Sequence, residues 1–222
     1  MTILKIGLIE INWDGKTKYS DEDISYFLFL EGKSISSISQ IRSLSKEKVQ
    51  MHIVSGKMTK GFLARCSNIK DLFNLIKTSA KLEKMNILSS LTKEYSDILM
   101  HYIIDYYNEM VPKDKEAAVW ILGEIREKIS IPVLKRASVH SYTNIRRMAI
   151  SALGKIGDKS SEDILIRALS DSNDQVKLYA IKALNKIESY KGLEKMKIFE
   201  SSSKQYLRNA ALEYIVSKQE NI

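Results

Sequence analysis

The sequence predicts an all-α protein, with an N-terminal helix-turn-helix unit followed by an α-solenoid of short tandem repeats. The repeats come into register when residues 115–215 are laid on themselves with a shift of 31 residues. An apolar content of 44%, with only nine glycines and two prolines, is typical of a folded chain. Four columns of like residues then align: Ala118, Ala149, Ala180 and Ala211; Leu122, Leu153, Leu184 and Ile215; Ile125, Ile156 and Ile187; and the bases Lys115, Arg146, Lys177 and Arg208.

Cysteine use and hydropathy limit where the protein is expected to work. Cys66 is the single cysteine, so no internal disulfide can form, which fits a reducing compartment. The first ten residues lack the basic start and long apolar core of a signal peptide, and no window of 18 residues is apolar enough to span a membrane. We therefore expect a soluble cytoplasmic protein with no membrane partner.

The net charge of +8 lies at the two ends of the chain. It is +3 over residues 1–66, −1 over residues 67–111 and +6 over residues 112–222. A basic protein can bind nucleic acid by neutralising phosphates and releasing counterions. A lysine-rich composition without such a partner gives the same net charge, so charge alone leaves both interpretations open.

We divide the chain into a helix-turn-helix domain (1–60), a helical spacer or degenerate repeats (61–111) and the repeat array (112–222). Apolar residues within 2–11 predict a short helix, which ends before Asn12.

Three serines are predicted N-caps of the helices in the first domain. Ser20 precedes a helix over 21–31, and Ser34 precedes a second, short helix. Ser45 precedes a third helix over 46–56. A three-residue turn before the last of three short helices is typical of a helix-turn-helix unit.

The same region carries the motif Glu31-Gly32-Lys33-Ser34-Ile35, then Ile38, Arg42-Ser43-Leu44-Ser45, Val49 and His52. These residues resemble the small helix-turn-helix domain appended to bacterial RecQ-type helicases, over about residues 21–60. Ser39 and Lys48 depart from the family pattern, which has Ala and Thr there. The contacts of the family's third helix therefore do not carry over to this chain.

If this unit reads DNA, its third helix is expected to face the duplex. Lysines would neutralise the backbone and a glutamine would pair with adenine edges. Glu47 argues against this, because a carboxylate repels phosphate, and use as a packing or protein-binding module is the alternative. The DNA-binding candidates are Ser45, Lys46, Lys48, Gln50 and Lys57.

The middle of the chain is predicted to be helical over 69–79, 80–91 and 92–110, after a hinge marked by Gly61 and the Ser67-Asn68 pair. The tyrosines of the last of these helices lie beside acidic residues. This favours core packing with an acidic outer face over a stacking surface for bases.

Each copy of the array is predicted to contain two amphipathic helices, which stack because neither can bury its apolar side alone. Helix A of each copy is expected at 115–128, 144–156, 174–187 and 204–217, and helix B at 131–139, 162–169 and 192–199.

The segment from Arg146 to Asp158 and the loop from Asp171 to Lys177 resemble a HEAT-type repeat, of the short variety also seen in bilin lyases. The resemblance covers about residues 112–218. It implies an α-solenoid that serves as a scaffold for proteins or nucleic acids, without fixing which.

Two sets of bases recur in the array. The ladder that begins the A helices is expected to be structural, bridging to backbone or to an acid of the neighbouring copy. The second set lies on the B helices, which we expect to line the concave side. It comprises the candidates for binding a phosphate backbone or an acidic partner, with solvated surface charge as the alternative: Lys135, Arg136, Arg167 and Lys197.

No constellation predicts catalysis, a metal or a cofactor. His52, His101 and His140 lie on three different elements, and Cys66 has no histidine near it in sequence. Our hypothesis is a non-enzymatic DNA-binding or DNA-associated adaptor whose array binds a partner or backbone. The alternative is a protein–protein interaction scaffold without nucleic acid, and a lesser alternative is a HEAT-like alkylpurine DNA glycosylase, for which Trp120 has no assigned role beyond the core.

Overall fold

A computed structural model describes residues 3–14 and 19–219, apart from the side chain of Ile3. The chain separates into two compact units, residues 1–99 and residues 100–222. The described residues form thirteen α-helices and one small β-hairpin, which confirms the predicted all-α class. None of the described helices is long and apolar enough to cross a lipid bilayer.

From Ile3 onward the chain forms a hairpin and not the helix predicted over residues 2–11, of which residue 2 lies outside the described residues. Strand β1 (Ile3–Ile6) pairs antiparallel with β2 (Ile9–Asn12). Ile9 and Ile11 are buried while the intervening Glu10 is exposed, which is the alternation of a strand. Gly7 makes the turn with a φ of +60°, a conformation that favours glycine. The helical prediction was wrong because it read a two-residue period as a helical one.

Three helices follow the hairpin: α1 (Asp21–Leu30), α2 (Ile35–Arg42) and α3 (Lys46–Arg65). The predicted N-caps are confirmed, because the hydroxyls of Ser20, Ser34 and Ser45 each accept from the backbone amide three residues on. The turn between α2 and α3 passes through Ser43, which has a φ of 51°. The local order of helix, turn and helix is thus as predicted.

Helix α3 is nine residues longer than the predicted 46–56, and it runs through both Gly56 and Gly61. Gly56 allows α1 to come close, because a Cβ at this position would lie 2.2 Å from the Cγ of Tyr26. Gly56 therefore serves packing between α1 and α3. The hinge predicted at Gly61 is wrong, whereas the Ser67-Asn68 pair, which marked the same hinge, does follow the end of α3.

The next helices match the expected ranges closely. They are α4 (Ile69–Thr78), α5 (Lys81–Ser90) and α6 (Lys93–Tyr106), with a 3₁₀ turn over Tyr107–Glu109.

The array supplies the remaining helices. The A helices are α7 (Pro112–Ile125), α9 (Thr143–Ile156), α11 (Asp174–Lys186) and α13 (Gln205–Gln219). The B helices are α8 (Ile131–Ala137), α10 (Glu162–Ala168) and α12 (Leu193–Glu200).

Small residues set the distance between neighbouring A helices. A Cβ added to Gly123 would lie 2.8 Å from the Cβ of Ala152, and one added to Gly154 would lie 2.8 Å from the Cβ of Ala183. The two contacts are one repeat apart, so the same close approach is made twice along the array. Leucine and isoleucine columns of the repeat fill the core beneath it, including the fully buried Leu122, Leu153 and Leu184.

Candidate functional site

The five residues predicted to contact DNA lie on or next to α3. Lys46, Lys48 and Gln50 are in its N-terminal half, and Lys57 is in its C-terminal half. Ser45 is occupied as the N-cap, since its hydroxyl accepts from the Lys48 amide at 3.2 Å. Lys46, Lys48 and Gln50 are exposed. Lys57 is also exposed, and its ammonium lies 4.7 Å from the centre of the Phe29 ring.

An apolar stripe runs along the middle of the exposed side of α3. We define it by Met51, Val54 and Met58, which are 66%, 56% and 77% exposed. At helical spacing, Lys46, Gln50 and Lys57 flank the stripe on one side and Lys48 flanks it on the other. The centre of this helix face is therefore apolar and only its flanks are basic, a distribution that sequence reasoning did not anticipate.

A serine and a glutamate of α1 lie close to a histidine of α3, on the side of α3 that packs against α1. Ser25 Oγ lies 3.0 Å from His52 Nδ1, and His52 Nε2 lies 3.9 Å from Glu22 Oε1. Arg42 donates to Ser25 Oγ at 3.2 Å and to the carbonyl of Asp21 at 2.9 Å. Ser25 and His52 are buried, so no substrate reaches them. The cluster fixes α1, α2 and α3 to one another and has no access for chemistry.

The base ladder of the array is structural, as predicted. Arg146 binds the Asp171 carboxylate through Nε and Nη2 at 2.7 and 3.0 Å, and it donates to the carbonyl of His140. Lys115 Nζ donates to the carbonyl of Asn108 at 3.2 Å. The other two bases likewise bind atoms of the loop or first turn where their helix begins: Lys177 binds Asp174, and Arg208 binds the Ser202 carbonyl and the Gln205 side chain.

The four B-helix candidates are all exposed, and each has a different local environment. Arg167 reaches across one repeat and donates to Ser138 Oγ at 3.3 Å. Lys197 pairs with Glu194 of its own helix at 2.9 Å. Lys135 and Arg136 sit at the C-terminal end of α8.

The two rows of helices in the array pack differently. Each A helix packs directly on the next A helix, whereas each B helix packs chiefly on the A helix that follows it. The A helices α7, α9, α11 and α13 therefore form a continuous row, and we call its solvent-facing side the A face.

Three columns of the A face reach solvent and differ between copies, unlike the alanine and leucine columns that build the core. Variation among copies was the signal in the sequence that could have found this surface. The columns are Glu116, Arg147, Leu178 and Asn209; Ala117, Met148 and Tyr179; and Trp120, Ser151, Lys182 and Glu213.

A cleft with a volume of about 170 Å³ lies between α9 and α11 on this face. Its floor contains Gly154 and Ala183, the pair whose close contact brings the two helices together. Its remaining lining residues are Ser151, Lys155, Tyr179, Lys182 and Lys186.

The cleft is lined by three lysines, and they differ in their contacts. Lys155 Nζ binds Glu124 at 2.5 Å, and Lys186 Nζ donates to the Lys155 carbonyl at 3.1 Å. Lys182 is exposed and has no hydrogen bond or ion pair within residues 3–14 and 19–219. The guanidinium of Arg147 lies 6.0 Å from the centre of the Tyr179 ring. This arrangement suits a carboxylate-bearing segment that also contacts an aromatic ring.

Two other kinds of chemistry depend on metal-ligating residues and on the thiol. The described part of the chain, residues 3–14 and 19–219, contains no group of three or more His, Cys, Asp or Glu side chains placed to hold a metal ion. Cys66 is buried, and burial is the main cause that raises the pKa of its thiol, with Asp71 contributing in the same direction. A raised pKa lowers the thiolate fraction, so Cys66 is a poor nucleophile.

Comparison with known proteins identifies the array. A family model described as HEAT repeats matches residues 102–161 and 133–215, which together make up just over half of the chain. A search of curated proteins gives no match. The crystal structure of an engineered protein from the Northeast Structural Genomics Consortium is similar at a TM-score of 0.48 with 13% identity, covering 89% of this chain. The chain spans 58% of that protein's length.

Proposed function

The chain belongs to the HEAT-repeat family, and on that premise we propose that it is a non-catalytic scaffold that holds an acidic segment of a partner protein against its A helices. The observation that carries the proposal is the cleft between α9 and α11. Its floor is made of small side chains, and its rim presents Lys182, Lys186 and the ring of Tyr179.

The shape of the cleft supports a peptide-like occupant. Gly154 and Ala183 remove side-chain bulk from the floor, so a partner's backbone can come close to the helices. Tyr179 offers apolar area with little loss of side-chain entropy on binding, and aromatic anchors of this kind are enriched at protein interfaces.

The charges around the cleft support an acidic partner segment. They also favour one position of its acidic part along the row of A helices. Arg147, Lys182 and Lys186 lie on α9 and α11, whereas Glu116 and Glu124 lie on α7 at one end of the row. Glu124 is itself engaged by Lys155. A segment whose acidic part lies over α9 and α11 avoids α7, because like charges at an interface cost affinity.

Affinity capture tests the proposal. Full-length protein carrying Lys182→Glu and Lys186→Glu is compared with the wild type as bait for proteins of the source organism, quantified by mass spectrometry. We expect specific partners to be lost by tenfold or more, since each reversal converts attraction into repulsion at the cleft.

A matched control places the same charge change on the other row of helices. Arg136→Glu with Arg167→Glu removes the same four units of charge, and the captured partners should persist. Loss of partners from this control alone would contradict the proposal and favour the B helices. Equal capture by the wild type and both double variants would exclude the cleft and the B helices as the binding surface.

DNA contact by α3 is a second candidate, favoured by the exposure of Lys46, Lys48 and Gln50 along one helix end. Backbone contacts by lysines give an affinity that falls steeply with salt. Fluorescence anisotropy with a labelled duplex should show such a slope, and Lys46→Gln with Lys48→Gln should reduce it by about two.

The control for that titration is Lys81→Gln, an exposed lysine on α5. If it weakens duplex binding as much as the α3 variant does, the binding is unspecific attraction to a basic protein. If no duplex binds at about 50 mM salt, a condition that favours backbone contacts, the candidate is lost.

A further inference from the structure

We propose that the partner segment bound at the A face has its charges in a fixed order. Two acidic residues lie three positions apart, and a basic residue follows three positions outside each of them. This pattern rests on the proposed function and extends it, because it names the class of acidic segment that the A face selects.

The charges in the exposed columns and in the cleft change sign twice along the row of A helices. The first helix, α7, presents Glu116, and the last, α13, presents Glu213. The two helices between them present cations, which are Arg147 on α9 and Lys182 and Lys186 on α11. The order of sign is therefore negative, positive, positive, negative.

One ion pair joins two helices of the row without changing this order. Lys155 of α9 binds Glu124 of α7 at 2.5 Å, so these two charges largely cancel. Among the described residues, neither Glu213 nor Lys182 has a hydrogen bond or an ion pair. Their charges are therefore available to a partner.

Each change of sign takes place between one helix and the next. Packed helices have axes about 8–10 Å apart, and salt at about 0.1 M screens exposed charges beyond about 10 Å. A charge on the partner therefore interacts mainly with the A helix beneath it. For this reason the order of the charges matters more than the net charge of the segment.

The size of the cleft favours a segment that crosses the helices. Its volume of about 170 Å³ is well below the roughly 300 Å³ of the smallest ordinary ligand pockets. The cleft can therefore receive a side chain but not a length of chain. The other contacts of the segment have to be made on the A helices to either side.

A polyproline II segment matches the spacing of these helices. It advances about 3.1 Å per residue with three residues per turn, so side chains at i and i+3 lie on one side about 9 Å apart. Acids at these positions would lie over α9 and α11, and residues three positions farther out would lie over α7 and α13. Lys182 is one helical turn beyond the column of Arg147, an offset of about 6 Å that long, flexible side chains can bridge.

A longer acidic run is disfavoured at both ends. It places carboxylates against Glu116 and Glu213, and like charges at an interface cost affinity. Basic residues at the same places meet opposite charge. The A face thus selects a short acidic motif with basic flanks over an acidic tail or another polyanion, although the protein has a net charge of +8.

Three labelled peptides of ten residues test the order by fluorescence anisotropy with the full chain. All carry charges at their first, fourth, seventh and last positions, with alanine and proline elsewhere and blocked ends. The matched peptide is basic, acidic, acidic, basic. The inverted peptide has the same composition in the order acidic, basic, basic, acidic, and the third peptide is acidic at all four positions.

The matched peptide should bind at least about tenfold more tightly than the inverted peptide, because both have the same net charge and only the order differs. The all-acidic peptide should bind no more tightly than the matched one. The matched pattern is the same in both chain directions, so the result does not depend on the direction in which the segment crosses.

Glu213→Lys removes the negative charge at the α13 end. It should raise the affinity for the all-acidic peptide by about tenfold and lower the affinity for the matched peptide. Glu200→Lys makes the same charge change at an exposed residue of α12, a B helix, and should leave the ranking of the three peptides unchanged. If circular dichroism shows that Glu213→Lys does not fold, Glu213→Gln takes its place, with smaller changes in the same directions.

Tightest binding of the all-acidic peptide, or equal binding of the matched and inverted peptides, would overturn the proposal and leave the scaffold for acidic segments intact. An equal response to Glu213→Lys and Glu200→Lys would do the same. If no peptide binds while partner capture still depends on Lys182 and Lys186, the cleft does not recognise charge order and this proposal alone fails. If capture does not depend on these lysines either, the proposed function fails with it.

Discussion

Arg146 and Asp171 join consecutive repeats through two parallel hydrogen bonds, of 2.7 and 3.0 Å, between a guanidinium and a carboxylate. The two side chains are 14% and 10% exposed, so the pair is largely removed from water. Asp171 also accepts from the Asn173 amide at 2.8 Å, which shapes the loop that leads into α11. One carboxylate thus connects the start of one A helix with the loop before the next.

Asp171→Asn is expected to destabilise the array by about 3 kcal/mol, because it leaves a mostly buried guanidinium without a counter-charge. Chemical denaturation followed by circular dichroism measures the loss. Glu194→Gln, which breaks the exposed pair with Lys197, is the control and should leave the free energy of unfolding unchanged. An equal effect from both substitutions would contradict the structural role given to Asp171.

The same pair predicts a dependence on pH. Burial acts to raise the pKa of Asp171, but hydrogen bonds from Arg146 and from the Asn173 amide outweigh it, so the pKa is lowered. A lowered pKa in the folded state means that the stabilisation is complete above about pH 4, the unfolded value, and is lost as the pH falls through the folded value. The difference in stability between wild type and Asp171→Asn should therefore shrink below pH 4. A difference that grew on acidification would reverse the sign and contradict the assignment.

Gly154→Ala tests the spacing of the A helices. The new methyl group would meet the Cβ of Ala183 at 2.8 Å, while the substitution gains helix propensity of about 1 kcal/mol. We expect the clash to outweigh the gain, with a net loss of about 1–2 kcal/mol in urea unfolding. Ala183→Gly in the same chain removes the clash, so the double variant should return close to wild type. Additive losses would show that the two positions are not in contact.

Tyr107→Phe should leave stability unchanged or raise it by up to about 1 kcal/mol. The Tyr107 hydroxyl is buried and has no hydrogen-bond partner among the described residues, so its removal leaves no new unpaired group. Burial raises the pKa of Tyr107 to about 12, with Arg136 acting weakly in the opposite direction. Because the unfolded tyrosine ionises near pH 10, Tyr107 stabilises the fold less and less between pH 10 and 12. The phenylalanine variant should lose less stability than wild type over that range in thermal melts.

Ser25→Ala should destabilise the first unit by about 1–3 kcal/mol, since it removes the partner of the buried His52 Nδ1 and one partner of Arg42. Ser36→Ala on α2 is the control, because Ser36 is exposed and its replacement should change stability by no more than about 0.5 kcal/mol. If Ser25→Ala is as mild as the control, the buried cluster does not hold the three helices together.

The repeat register predicted the array well because core residues recur at fixed spacing. Columns such as Leu122 and Leu153 mark positions that every copy must bury, and their period places each A helix within a few residues. The predicted start at residue 115 missed only the first turn of α7, which begins at Pro112. Caps were equally predictable, since Ser20, Ser34 and Ser45 act through their own local geometry.

Features that depend on distant contacts were not predictable. In the sequence Gly56 predicts a helix end, but it lies within α3. A glycine is needed there because the Tyr26 ring occupies the space that a side chain would fill. The A face was not predicted for a similar reason. Recurring bases such as Arg136 and Arg167 were the predicted binding residues, whereas the exposed columns of the A helices are recognised by their variation, as at Ser151 and Lys182. The proposed DNA contacts of α3 and the likeness to the RecQ-appended domain stay predictions.

The unequal packing of the two helix rows has a mechanical consequence. The Gly123–Ala152 and Gly154–Ala183 contacts hold neighbouring A helices close together, while among the described residues no two B helices pack on each other as extensively as the A helices do. When the array bends, the A helices are therefore expected to keep their spacing. The B helices are expected to move farther apart or closer together. The positions of Tyr179 and Lys182 relative to the neighbouring A helix would then change little as the array bends. A partner bound there would contact the same surface at every degree of bending.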